Sequence, residues 1–124
     1  MIRNNAIFVD FVISDTVIKR TDKQRIFSRL EGYLYARFRF NSSWPPDRKV
    51  IFSRDGTGIT LDIADGFCQV PNVYLAFPGT IKLSVFSEAD GRRTANEAEI
   101  MVELSGYQDA LEPPEPAPPP GVFV

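Results

Sequence analysis

Tyr33-Leu34-Tyr35-Ala36-Arg37-Phe38-Arg39-Phe40 is the stretch whose reading decides the fold. Side chains alternate along an extended chain, so Leu34, Ala36, Phe38 and Phe40 share one face and Tyr33, Tyr35, Arg37 and Arg39 the other. On a helix the same apolar positions would be scattered round the circumference. The segment is expected to be a central strand with one face buried.

Towards the N-terminus, Ala6-Ile-Phe-Val-Asp-Phe-Val-Ile13 is rich in β-branched and aromatic residues, and Asp15-Thr-Val-Ile-Lys-Arg20 follows after a polar break. The two read as opening strands, and Thr21-Asp-Lys-Gln-Arg25 as a polar connection. On the C-terminal side, Asn41-Ser-Ser-Trp-Pro-Pro-Asp47 must leave the sheet, because its prolines cannot donate to a ladder; Trp44 is expected to fold back over the edge of the core. Val50-Ile-Phe52 resumes a strand, Asp55-Gly56 turns, and Ile59, Leu61 and Ile63 then alternate with polar neighbours until Asp65-Gly66. Phe67-Cys-Gln-Val-Pro71 is a short apolar piece, and residues 72–77 hold a helical turn or an irregular crossover. Ile81, Leu83 and Val85 and then Ile100, Val102 and Leu104 form the inward sets of a closing hairpin, joined through a loop at Glu88-Ala-Asp-Gly91.

About seven short strands separated by Gly, Pro, Asn and Asp turns predict an all-β, antiparallel, immunoglobulin-like sandwich. With 124 residues the chain is long enough for one core, and its prolines gather near the C-terminus. The expected organisation is a sandwich over residues 1–107 and a proline-rich extended tail over 108–124, whose run Glu112-Pro-Pro-Glu-Pro-Ala-Pro-Pro-Pro120 favours polyproline II and ends in Gly121-Val-Phe-Val124.

Function classes are narrowed by what the residues can do. A net charge of −2 without a basic cluster removes the electrostatic footprint of a nucleic-acid binder. Cys68 is the one cysteine, so no intrachain disulfide forms, as suits a reducing compartment. No export signal is read at the N-terminus and no apolar run approaches the roughly 20 residues that span a bilayer, so no membrane partner is expected. The sequence has no histidine, which takes away the commonest general base and metal ligand; no catalytic, cofactor or metal site is expected. Asp62 and Asp65 read as solvated rather than as a dyad, Cys68 as a small core residue, Asp55-Gly-Thr-Gly58 as a hairpin turn lacking a P-loop's lysine and helix, and Arg92-Arg93 as a solvated loop tip.

Tyr33, Tyr35, Arg37 and Arg39 are the candidate contact face, since tyrosine and arginine dominate binding hot spots whereas a solvated face more often carries Lys, Glu and Thr. The competing reading makes that face part of the other half of the sandwich, or pairs it with Glu side chains. Tyr107 and the tail positions Pro113, Pro114, Pro118, Val122 and Phe123 complete the partner-binding set, because an extended proline-rich segment becomes ordered by lying on another surface.

Residues 33–40 with Trp44, Lys49-Val-Ile-Phe52, Cys68-Gln-Val-Pro71, Pro78 to Phe86, Thr94 to Leu104 and Ser105-Gly-Tyr107 before a proline-rich stretch together resemble a domain at the N-terminus of phage fibre and baseplate upper proteins from Gram-positive hosts. The resemblance spans nearly the whole chain and rests on hydrophobic spacing. It implies a virion structural role, anchoring an appendage to the capsid or tail or decorating that surface, with other virion proteins as partners and multiple copies in the assembly. Members of that group continue into a coiled coil and a receptor-binding region, whereas this sequence stops at Val124, so the expectation is a short decoration or adaptor protein. A small carbohydrate-binding sandwich is the alternative, with Tyr33, Tyr35 and Trp44 as stacking platforms if those rings lie open. An intracellular inhibitor of a host protein is a third reading, less favoured by the near-neutral charge.

Overall fold

Three turns built on aspartate set the strand boundaries. In the computed structural model, which describes residues 6–104, Asp15, Asp55 and Asp65 all have positive φ, near 55°. Aspartate tolerates that left-handed region better than most residues. Asp55-Gly56 and Asp65-Gly66 place both central residues there, the type I′ geometry whose twist matches the flanking strands. The strands are β1 (Ile7–Ser14), β2 (Val17–Arg20), β3 (Ile26–Phe27), β4 (Leu34–Phe40), β5 (Lys49–Arg54), β6 (Thr57–Asp62), β7 (Phe67–Gln69), β8 (Gly79–Phe86) and β9 (Ala98–Glu103), with one 3-10 turn at Asn72–Tyr74.

They form two sheets, a four-stranded one in the order β2-β1-β4-β7 and a five-stranded one in the order β3-β9-β8-β5-β6. The chain is an all-β sandwich, as its alternation predicts. Nine strands are described rather than about seven, because β3 and β7 are too short to show a period. The antiparallel expectation needs correction: β1 runs parallel to β4, with Phe8 beside Tyr35, Asp10 beside Arg37 and Val12 beside Arg39, and β3 runs parallel to β9. Both parallel pairs arise because β2 and β3 lie in different sheets, so the chain crosses the sandwich between β1 and β4 instead of closing a hairpin.

One hydrophobic cluster joins the inner faces. Val9, Phe11, Ile13, Leu34, Ala36 and Phe38 come from the first sheet; Val50, Phe52, Ile81, Leu83, Val85, Ile100 and Val102 come from the second. Trp44 closes one edge, 3% exposed, its indole N–H donating to the Asp15 carbonyl at 2.7 Å. Leu104, placed by alternation with the inward set, lies past the end of β9 and is exposed. Arg92 is more than a solvated tip: it donates to the carbonyl and hydroxyl of Ser43, both at 2.9 Å, and its guanidinium lies 5.5 Å from the Trp44 ring. Among the described residues no buried side-chain nitrogen or oxygen lacks a partner.

The loop between β7 and β8 is fixed from across the sandwich. Arg54, at the end of β5, donates to the carbonyls of Tyr74 (2.6 Å), Phe77 (2.8 Å) and Pro78, and the Tyr74 hydroxyl meets Thr57 Oγ1 at 2.9 Å. Val73 and Phe77 are left pointing outwards, 69% and 65% exposed.

Candidate docking face

The outer face of the four-stranded sheet is where the sequence-derived contact residues meet. On β4, Tyr35, Arg37 and Arg39 point away from the core that Leu34, Ala36 and Phe38 enter. The parallel register sets Phe8, Asp10 and Val12 of β1 beside them, and the antiparallel register with β7 sets Phe67 beside Arg37. On the far side, β2 places Lys19 next to Val12. The face therefore has an order along the strands: aromatic rings at one end, an ion pair in the middle, and two cations flanking a valine at the other.

At the aromatic end the Phe8 ring lies 6.0 Å from Tyr35 and 5.7 Å from Phe67, centroid to centroid. The Arg37 guanidinium covers Phe8 at 4.6 Å and grips Asp10 with two bonds, Nε to Oδ1 at 2.5 Å and Nη2 to Oδ2 at 3.2 Å. The hydrogen bond to the Asp10 carboxylate raises the Arg37 guanidinium pKa above its ordinary value. Arg39 and Lys19 are exposed, and among the described residues neither has an ion pair. A shallow depression runs from Asp10 and Thr21 past Arg37 and Arg39 to Asp65 and Phe67.

The β1 strand that carries this face is held by Asp22. Its Oδ1 accepts the Asp10 backbone N–H at 2.8 Å and the Arg20 Nε at 2.9 Å, while Oδ2 accepts Arg20 Nη2 at 2.9 Å and the Gln24 N–H at 2.8 Å. Burial pushes this carboxyl upwards, but the bonds from Arg20 and the two backbone donors outweigh it and leave the pKa below its ordinary value. Cys68, on the inner face of β7, is buried and its thiol is pushed up to about 12 by burial, with a smaller contribution from Asp62. Asp62 itself bonds Lys49 Nζ at 2.6 Å on the other sheet, and Asp65 forms the tip of its turn.

The expected residues divide as follows. Tyr35, Arg37 and Arg39 share the outer face, but Tyr35 is only 8% exposed, so it supports its neighbours rather than offering an open ring. Tyr33 is half-buried just before β4, where its carbonyl accepts the Ile7 N–H at 2.8 Å. Tyr107, Pro113, Pro114, Pro118, Val122 and Phe123 lie outside the described residues. Phe8, Asp10 and Phe67 are additions: they alternate with inward Val9, Phe11 and Cys68, but only the register shows that they adjoin Arg37. Trp44 and Tyr35 are both buried, which removes two of the three rings a sugar-stacking platform needs. Among the described residues no group of three His, Cys, Asp or Glu side chains could hold a metal, and no helix is long and apolar enough to cross a membrane.

Comparison of the chain with protein-family models, with curated proteins and with solved structures finds no match.

Proposed function

We propose that this chain is a bacteriophage virion structural protein, a capsid-decoration or head-fibre domain or a tail or baseplate anchoring domain, which acts in multiple copies through protein–protein contacts and carries out no chemistry. The observation that carries the docking role is the outer face of the four-stranded sheet, where Phe8, Phe67, Arg37 and Arg39 stand where a merely solvated face more often carries Lys, Glu and Thr. The assignment to a virion comes from the resemblance borne by the spacing in residues 33–52, 68–71 and 78–107. An immunoglobulin-like topology is supported by the order β9-β8-β5-β6, which corresponds to the G-F-C-C′ order of variable-type domains; the parallel β1–β4 pair is a departure from it.

The reading is tested on particles. Mass spectrometry of purified virions, with antibody labelling in the electron microscope, is expected to find the chain on the capsid or tail in many copies. Absence from washed particles refutes the virion role. Phe8→Ala combined with Arg37→Ala is expected to lower occupancy while the domain stays folded; unchanged occupancy refutes the face as the contact.

A further inference from the structure

We infer that the docking face receives the proline-rich segment 108–120 of this same chain. This rests on the reading of that face as a docking surface and supplies its occupant. Three observations converge on it.

Charge is the first. The face ends in Lys19 and Arg39, one on either side of Val12 and both without an ion pair among the described residues, while its two carboxylates are Asp10, committed to Arg37, and Asp65 at the rim. Residues 108–124 contain Asp109, Glu112 and Glu115 and no Lys or Arg. Spacing is the second. Lys19 and Arg39 sit two strands apart, about 9.6 Å. A segment that runs along β1 over Val12 passes between them, about one strand spacing from each, so a carboxylate at that level has a cation on either side.

Chain direction is the third. The Glu103 carbonyl accepts the Ser28 N–H, Arg29 N–H reaches the Leu75 carbonyl, Val70 N–H reaches the Leu34 carbonyl, and Ile7 N–H reaches the Tyr33 carbonyl. These bonds place the end of β9 at the same end of the sandwich as the starts of β1 and β4, where Phe8 and Tyr35 lie. A segment leaving there meets the aromatic end first and the cations about 13 Å further along β1. The residues follow that order, with Tyr107 and Leu111 ahead of Glu112 and Glu115. The reach is sufficient: Glu115 lies eleven residues beyond Leu104, about 34 Å in polyproline II, against about 10 Å between sheets plus that 13 Å.

The test uses the full-length chain carrying Ala117→Cys with a nitroxide label. Cys68 is buried and its thiol pKa stands near 12, so it stays unlabelled at neutral pH. Paramagnetic broadening of amide signals is expected on β1, β4 and β7 around Val12, Arg37, Arg39 and Phe67. Lys19→Glu with Arg39→Glu is expected to weaken it about threefold to tenfold, and adding Glu112→Lys with Glu115→Lys to restore it. Mixing isotope-labelled chains with spin-labelled ones separates docking within one chain, where broadening disappears and the proposal is supported, from docking between copies, where it persists and the proposal is overturned. Broadening that is absent, that falls on the five-stranded sheet, or that ignores the charge reversal overturns it. If segment 108–120 does not dock while Phe8→Ala with Arg37→Ala still lowers particle occupancy, this inference fails and the docking role of the face stands.

Discussion

Replacing Gly79 with alanine tests how the exposed loop before β8 is held. Gly79 has φ near +145°, a backbone region that costs a residue with a Cβ about 1–2 kcal/mol. Its added Cβ also lands on the Arg54 guanidinium, the group that clamps the Tyr74, Phe77 and Pro78 carbonyls. Those carbonyls can regain water when released, so the whole clamp stabilises by about 2 kcal/mol rather than three full charge-assisted bonds. Gly79→Ala is expected to cost about 3 kcal/mol, backbone strain plus a damaged clamp, and Arg54→Met about 2 kcal/mol. The damage is shared, so the double variant should cost about 3.5 kcal/mol rather than the sum of about 5. Urea unfolding followed by fluorescence measures this directly, because Trp44 is the sole tryptophan and is buried. Additivity within about 0.5 kcal/mol refutes a clamp acting through the guanidinium.

Other outcomes follow from single groups. Asp22→Asn removes a carboxylate whose folded pKa is lowered; its stabilisation is present above the unfolded value near 3.8 and is lost as pH falls through the folded value, so the variant is expected to be about 2 kcal/mol less stable at pH 7 and the gap to narrow as pH falls through that lowered value, as read by urea midpoints against pH. Cys68 is expected to resist a disulfide-exchange reagent at pH 8 until the chain is unfolded, and its raised pKa should make stability fall as pH rises from about 9 towards 12; rapid labelling of the native chain contradicts the buried placement. Trp44→Phe keeps a ring but orphans the Asp15 carbonyl, for an expected loss of about 1–2 kcal/mol in thermal or chemical melts.

The fold class was legible because alternation reports burial, and burial is what a two-layer β domain is built on. Leu34, Ala36 and Phe38 and then Ile81, Leu83 and Val85 enter the core as their spacing requires. The turns were legible too, since Asp-Gly has few conformations to choose from. Strand direction was not: Ile7–Ser14 reads the same whether it lies parallel or antiparallel to β4, and direction was settled by the chain crossing to β3 and back. That is why Arg37 was visible as a candidate while its partner Asp10 was not. Tyr35 shows the matching limit of a period of two, which assigns a residue to a face but says nothing of the neighbours that cover it there. Arg54 left no local signal, because its partners are backbone carbonyls twenty and more residues away.

The sandwich has two outer faces, and they differ in how their rings and charges are arranged. On the five-stranded side the outward positions Lys82, Ser84, Glu99 and Glu103 are joined by exposed Met101 and Phe27, with Lys49 bonded to Asp62 and Arg25 bonded to Glu103 and lying over Phe27. Long, hydrated side chains of mixed sign lose more entropy and solvation on contact than they return. The four-stranded side has rings locked together by Arg37 over Phe8, so much of its ordering has already occurred in the free chain. Three of the four sheet edges are poor sites for adding another strand, because β3 has two residues, β7 three and β2 four. β6 is longer, but its exposed Gly58, Thr60 and Asp62 offer an added strand little to pack against. A contact of the proposed kind is therefore favoured on a face over an edge, and within that face on the preorganised row that runs from Phe8 to Arg39.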